Sequence, residues 1–235
     1  MPPLIGIAAH QKLVEEEGYR VVHHVAGSAY VRAVRKAGGL PVLLPLVEPE
    51  DAGGLLERVD GIVLTGGDDI DPSFYGAEAH PRLGPTDRLR DELELALCRL
   101  AVERDVPTLA VCRGCQVLTV ALGGGLVQHI EDHFQLDRYN ESVHQVTVEP
   151  DSTLAHWLGT TGLGVNSLHH QAAATVEGVG RVVARAEDGT IEAVEPYRTT
   201  RVVGVQWHPE LLRHRPEHMA LFAGLVGTAE RAAAR

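Results

Sequence analysis

Three short stretches of the chain combine residue types that do chemistry with spacings that let them do it. The first is Leu109-Ala110-Val111-Cys112-Arg113-Gly114-Cys115-Gln116. A cysteine ends an apolar run, with small residues two before and two after it, which is the form of a nucleophile elbow. A sharp strand-to-helix turn leaves no room for bulk at Ala110 or Gly114. It lifts the Cys112 side chain above a sheet and sets it at a helix N-terminus, where backbone N–H groups and the helix dipole favour a thiolate. The N–H of Arg113 then points to where an oxyanion would form. Other readings of these residues stay open on spacing alone. A strand-end cysteine also serves as a small buried hydrophobe. Cys112-Arg113-Gly114-Cys115 is also a Cys-x-x-Cys, the spacing of a redox pair or half a zinc site, although none of the 13 histidines supplies a second ligand pair at short spacing. No metal and no cofactor is therefore expected.

The second stretch, Gly204-Val205-Gln206-Trp207-His208-Pro209-Glu210, ends an apolar run in a histidine with a carboxylate two residues on. A cysteine nucleophile needs a base that later protonates the leaving amine, and that base needs an orienting acceptor. His208 and Glu210 fit those roles, and the carboxyl ends of parallel strands are where ligands bind in open α/β sheets. The alternative is a surface histidine in a proline-containing turn. The third stretch is Leu64-Thr65-Gly66-Gly67-Asp68-Asp69-Ile70-Asp71-Pro72. Two glycines after a strand allow a turn whose N–H groups face the sheet edge, so Gly67 is the expected second oxyanion donor. Two spaced aspartates without further oxygen ligands are weak grounds for calcium.

The elements that must hold these stretches follow from the apolar patterning. Strands are predicted at Leu4–Ala8, Leu40–Leu44, Gly61–Leu64 and Thr108–Val111, and helices at Ser28–Ala37, Glu50–Arg58, Asp87–Glu103 and Arg113–Leu122. The first helix stops at Gly38-Gly39, and Leu89, Leu93, Leu97 and Leu100 form one stripe of the third. A polar loop runs from the Gly-rich segment to about Pro85. Strand and helix in repeated succession mean a parallel sheet covered on both faces. The second half is β-rich, with runs at Gln145–Val148, Arg181–Ala186, Ile191–Val194 and Val202–Gln206, before a closing helix at Glu217–Val226 and an Ala/Arg tail expected to fray. The expected fold is α/β, a three-layer α-β-α sandwich with a mostly parallel central sheet and a small β-rich extension. No repeat or linker divides the chain, so residues 1–235 are read as one domain.

The 235 residues, 44% hydrophobic and 23% charged, suffice for a sizeable core and exclude collagen, coiled coil and wholesale disorder. With 32 acidic residues against 21 basic ones and a net charge of −11, nucleic acid is not an expected partner. No run is long and apolar enough to span a membrane, and the first residues lack the pattern of a signal peptide. Three cysteines, Cys98, Cys112 and Cys115, make no disulfide framework. A cytoplasmic location with reduced thiols is the expectation.

Together the motifs resemble the class I glutamine amidotransferase-like superfamily, and more narrowly the γ-glutamyl-γ-aminobutyrate hydrolase family of peptidase C26 type. The narrower resemblance rests on Thr65–Pro72 with Tyr75-Gly76, Asp87–Asp91 with Glu94, Cys112–Gln116 leading to Ala121–Gly124, Val165-Asn166-Ser167-Leu168-His169-His170-Gln171, and Gly204–Glu210. It implies Cys112 as nucleophile, His208 as base and acid, Glu210 as its orienter, and the N–H groups of Gly67 and Arg113 as oxyanion donors. It further implies that Gln116 holds a glutamyl substrate and that His169, His170 and Gln171 line the same pocket. The implied reaction is hydrolysis of small γ-glutamyl amides, such as γ-glutamyl-γ-aminobutyrate, through a γ-glutamyl thioester. A glutaminase subunit feeding ammonia to a synthetase is the neighbouring alternative, and a non-catalytic binding or redox protein the distant one. Ala110 stands where the family usually has glycine, Thr119 where asparagine is frequent, and Gly125 where a bulkier polar residue is common. The partner implied is a small-molecule substrate, with a homodimer left open. The loops Phe74–Pro85 and Glu131–Glu141 form the pocket's outer wall, and the His and Asp residues of the second point toward a cationic amine.

Overall fold

In the computed structural model, which describes residues 1–176, 178 and 180–233, the apolar runs become the strands of one large sheet. In chain order the elements are β1 (Leu4–Ala8), β2 (His10–Glu16), β3 (Tyr19–Val25), α1 (Ser28–Lys36), β4 (Leu40–Leu44), α2 (Ala52–Leu56), β5 (Gly61–Leu64), α3 (Arg88–Glu103), β6 (Thr108–Val111) and α4 (Arg113–Ala121). Then come β7 (Gly125–Val127), β8 (His144–Val148), α5 (Thr153–Leu158), β9 (Gly162–Val165), β10 (Ala172–Thr175), β11 (Gly180–Ala186), β12 (Ile191–Pro196), β13 (Val202–Val205) and α6 (Pro216–Ala233).

The sheet runs β4-β1-β5-β6-β13-β12-β11-β8-β9. The first five strands are parallel and the last four antiparallel, with β10 bridging β12 and β7. The β-rich second half therefore continues the main sheet. Residues alternate along the central strands between two apolar cores. Ile5, Ile7, Val63, Leu109, Val111, Val203 and Val205 face α1, α5 and α6. Ile62, Leu64, Ala110 and Val202 face α2, α3 and α4. Strands buried on both faces read as unbroken apolar runs, which is why they are legible as such.

Register decides what the sheet presents. Leu64 of β5 pairs with Ala110 of β6, and Val205 of β13 with Val111. The carboxyl ends of β5, β6 and β13 thus lie side by side, and Thr65-Gly66-Gly67, Cys112 and Gln206-Trp207-His208 emerge from adjacent strands.

Several elements differ from expectation. His10–Val25 forms a hairpin, with Glu17 and Gly18 both at positive φ (48° and 85°) in a two-residue turn. Its residues are mostly exposed, so it carries no inward stripe to read. Helix α5 escapes the periodicity because it is only six residues long, although Ser152 caps it by accepting Ala155 N–H at 2.9 Å and Gly159 ends it in the left-handed conformation. The Glu50–Arg58 segment is a 3-10 turn at Pro49–Asp51 followed by the shorter α2. The closing helix begins at Pro216 and continues through the segment expected to fray, burying Ala229. Ala234 and Arg235 lie outside the described residues.

Candidate active site

Cys112 takes φ 52° and ψ −107°, a backbone conformation that a residue with a side chain rarely adopts. Such strain costs on the order of 1–3 kcal/mol and persists only where its surroundings enforce it. Here Cys112 N–H donates to Val205 O at 2.8 Å and its carbonyl accepts Gln116 N–H at 3.2 Å, pinning the turn between β13 and α4. Gly114 is required by close approach: a Cβ there would stand 2.7 Å from Leu64 O and 2.8 Å from Leu64 Cβ. Cys115 is buried in the core beneath Gly204, and burial pushes its thiol pKa well above the ordinary value. A thiol kept protonated there is a poor half of a redox pair.

His208 sits on the neighbouring strand end with its Nδ1 2.7 Å from Glu210 Oε1, and Glu210 is almost fully buried. Burial alone would lower the His208 pKa. The Glu210 carboxylate, first, and the nearby Cys112 sulfur outweigh it and raise that pKa well above 6.5. The ring packs on Gly66, where an added Cβ would lie 2.8 Å from His208 Cε1. Its backbone is clamped by Asn166, which accepts His208 N–H at 2.9 Å and donates to His208 O at 3.1 Å and Tyr139 O at 2.7 Å.

The glycine loop is held from below by Arg90. This buried guanidinium donates to Gly66 O at 3.0 Å and Thr65 Oγ1 at 3.2 Å, and through Nε to Glu94 Oε1 at 2.8 Å. Glu94 also accepts from Arg113, whose other guanidinium nitrogen reaches Asp91. Two arginines and two acids, all buried, thus fasten both the glycine loop and the first residue after Cys112 to α3. Burial pushes the Asp91 pKa up, whereas Arg113 and Arg90 overcome the same effect at Glu94 and hold its pKa low. From the other side Tyr30 Oη accepts Gly66 N–H at 3.1 Å. The N–H groups of Gly67 and Arg113 have no hydrogen-bond partner among the described residues.

Gly67, Asp68, Asp69, Gly84, Pro85, Cys112, Gln116, Phe134, Leu168, His169, His170 and Gln171 line a cleft of about 180 Å³. The four residues implied as substrate-binding therefore share one cleft with the cysteine and Gly67. His208 lies behind Gly66 and Glu210 behind His208, neither among the lining residues. Arg113 turns its side chain into the buried ion-pair network and offers only its backbone. Gln116 Nε2 donates to Gln171 O at 3.1 Å and Gln206 Oε1 at 3.4 Å, while Gln206 Nε2 lies 3.7 Å from Cys112 Sγ. At the rim His170 Nε2 meets Asp69 Oδ1 at 3.0 Å. Tyr30, Asn166 and Gln206 had no role assigned from the sequence. Only the position of Gln206, two before His208, and of Asn166, three before His169, offered a hint.

A mixed, mostly parallel sheet between two helical layers, with the Cys112 turn and His208 at adjacent strand ends, is the class I glutamine amidotransferase fold. A Thermoplasma acidophilum protein described as part of a GMP synthase superposes with a TM-score of 0.68 over 100% of this chain and 97% of its own, at 16% identity. The family model for peptidase C26 matches residues 3–210, and the chain belongs to that family of amide-bond hydrolases and amidotransferase-like proteins. The γ-glutamyl-γ-aminobutyrate hydrolase PuuD of Escherichia coli is 39% identical over 197 residues, covering 77% of this chain and 76% of PuuD. A Mycobacterium tuberculosis protein described as a glutamine amidotransferase is 38% identical over 241 residues, covering 99% of this chain and 77% of its own length. No helix among the described residues is long and apolar enough to cross a membrane.

Proposed function

We propose that the chain is a free-standing cysteine hydrolase of small γ-glutamyl amides, with residues 1–235 acting as one hydrolase domain. The observation that carries this reading is the strained Cys112 opening into the cleft, with the His208–Glu210 pair on the next strand end. In the proposed reaction the Cys112 thiolate attacks the γ-carbonyl carbon. The resulting oxyanion accepts the free N–H groups of Gly67 and Arg113, each worth 10²–10³ in rate on the order of magnitude of known oxyanion donors. The His208 imidazolium protonates the amine nitrogen as the C–N bond breaks, leaving a γ-glutamyl thioester on Sγ. Neutral His208 then takes a proton from water, the hydroxide attacks the thioester carbonyl, and glutamate and the thiolate are released. Glu210 holds the imidazole in place and stabilises its cationic form.

The cleft favours a leaving amine that is neutral or cationic. Asp68 and Asp69 are among its lining residues, and no lysine or arginine is. A leaving group with its own carboxylate would find no cation there. The test is glutamate release by the purified chain from γ-glutamylputrescine, γ-glutamyl-γ-aminobutyrate and glutamine, with Cys112→Ala as control. Hydrolysis of the two γ-glutamyl amines, fastest for the putrescine conjugate and lost in the variant, is the expected result. Silence on both, with glutamine cleaved only in the presence of a synthetase, would replace this reading with a glutaminase that works for a partner enzyme.

A further inference from the structure

Beside the cleft, the fold gathers three histidines around one buried carboxylate. Glu192 on β12 has no solvent exposure. Its Oε1 faces His144 Nε2 at 3.2 Å, His169 Nε2 at 3.6 Å and His133 Nδ1 at 3.7 Å. His133 precedes a bridge between Phe134 and Leu168, His144 opens β8, and His169 follows β9. Their distant positions hid the set from any spacing rule.

A buried carboxylate needs one compensating positive charge. Three imidazoles, each with a ring nitrogen turned toward the same oxygen, exceed that requirement. The opposite nitrogens of His133 and His169 are held as they are around bound metals, where a ligating histidine gives its other N–H to a carboxylate or carbonyl. His133 Nε2 lies 2.9 Å from Asp188 Oδ2 and 3.5 Å from Thr190 Oγ1, and His169 Nδ1 lies 3.0 Å from Gln171 O. With those acceptors taking the outer N–H, the inward nitrogens of neutral His133 and His169 carry the lone pairs. His169 Nε2 and Glu192 Oε2 are buried with no hydrogen-bond partner among the described residues. Ser167 Oγ, 3.2 Å from His133 Nδ1, donates its proton to His133 O at 2.6 Å.

The spacing also suits a shared ion. Ligands at about 2.0–2.1 Å from a tetrahedral centre stand about 3.4 Å apart, and the three nitrogens lie 3.2–3.7 Å from Glu192 Oε1. The donor atoms of His133, His144 and Glu192 lie within 4.8 Å of one another. We propose that His133, His144 and Glu192 form a binding site for a divalent first-row transition metal, with His169 beside it and zinc the ion of best fit to imidazole and carboxylate ligands. Glu192 and His133 are buried and lie away from Cys112 Sγ, so the role of the site is to hold structure. His169 lines the cleft, and Glu192 O accepts the N–H of Gln206, the residue beside Cys112 Sγ, at 2.8 Å. A metal here fastens the 167–171 wall of the cleft to the strand end carrying Gln206.

The test is metal binding by the purified full chain, read without any hydrolysis assay and therefore independent of the γ-glutamyl reading. After chelator treatment and dialysis, the chain is titrated with Co²⁺, and separately with Zn²⁺ followed by elemental analysis. The expected result is one equivalent of either metal, with a visible ligand-field band and no near-ultraviolet thiolate charge-transfer band. Glu192→Gln and His144→Gln should abolish stoichiometric binding, Asp188→Asn should weaken it about 10–100-fold, and replacement of both Cys112 and Cys115 by alanine should leave it intact. Zinc should also raise the melting temperature of the parent chain and not that of Glu192→Gln. Failure of the parent chain to bind either metal stoichiometrically overturns the proposal, whether or not the variants fold. So does binding that survives Glu192→Gln or disappears with the two cysteines.

Discussion

Replacing Glu94 by glutamine should show how the two proposed oxyanion donors are held in place. In the parent chain the buried group contains two guanidinium ions, Arg90 and Arg113, and two carboxylates, Asp91 and Glu94, each 3% exposed or less. The charges cancel. Glu94→Gln keeps the shape and leaves one buried positive charge uncompensated, a change that typically costs about 3–5 kcal/mol. For a chain of this size each kcal/mol lowers Tm by about 2–4 °C, so the fall should be about 6–20 °C. Activity should fall as well at temperatures where the variant is folded, because Arg90 carries the carbonyls of Thr65 and Gly66 and Arg113 follows Cys112, the proposed nucleophile. Adding Arg90→Met restores the charge balance while removing those contacts. The double variant should therefore recover stability without recovering kcat. The assays are thermal denaturation followed by circular dichroism and γ-glutamyl amide hydrolysis well below Tm. A Glu94→Gln chain that melts within about 2 °C of the parent with unchanged kcat would refute the reasoning.

Three other perturbations separate parts of the site. Glu210→Gln should lower kcat by about 10²–10⁴-fold; because Glu210 raises the His208 pKa, the alkaline limb of the pH–rate profile, where the imidazolium is lost, should move to lower pH. Gly66→Ala places a methyl 2.8 Å from His208 Cε1, so kcat should drop with little change in KM, and an equal rise in KM would count against the assigned contact. His218, fully buried with Nε2 3.1 Å from Gly164 O, has its pKa driven down by burial to about 4. A base whose pKa is lowered by folding stabilises the fold above its unfolded pKa of about 6.5 and loses that contribution as pH falls toward 4, about 3 kcal/mol in all. Urea denaturation at a series of pH values should show this loss in the parent chain and a flatter profile in His218→Leu.

Much of the fold was legible because its central strands are buried on both faces. Leu4–Ala8, Gly61–Leu64 and Thr108–Val111 match the observed strands residue for residue, since a strand walled by helices is apolar throughout. The hairpin at His10–Val25 was not legible, because an exposed ribbon carries no inward stripe. The elbow could be read because its small residues, Ala110 and Gly114, flank Cys112 in sequence, although what demands Gly114 is the tertiary approach of Leu64 on β5. The partners of that elbow were a different matter.

What the sequence by itself determined was the set of local geometries: Cys112 at a strained turn, His208 with Glu210 two residues on, and a glycine pair free to turn its amides outward. Only the tertiary structure decided which of these meet. Parallel register between β5, β6 and β13 is a long-range property, fixed by the packing of two helical layers, and it sets residues 64, 110 and 204 abreast. The same holds for the Arg90–Asp91–Glu94–Arg113 group and for the histidines around Glu192. Each joins residues from different elements, Arg113 of α4 to α3 in the first and strands and loops in the second, and a burial that makes unpaired charge costly exists only once the core has closed around them.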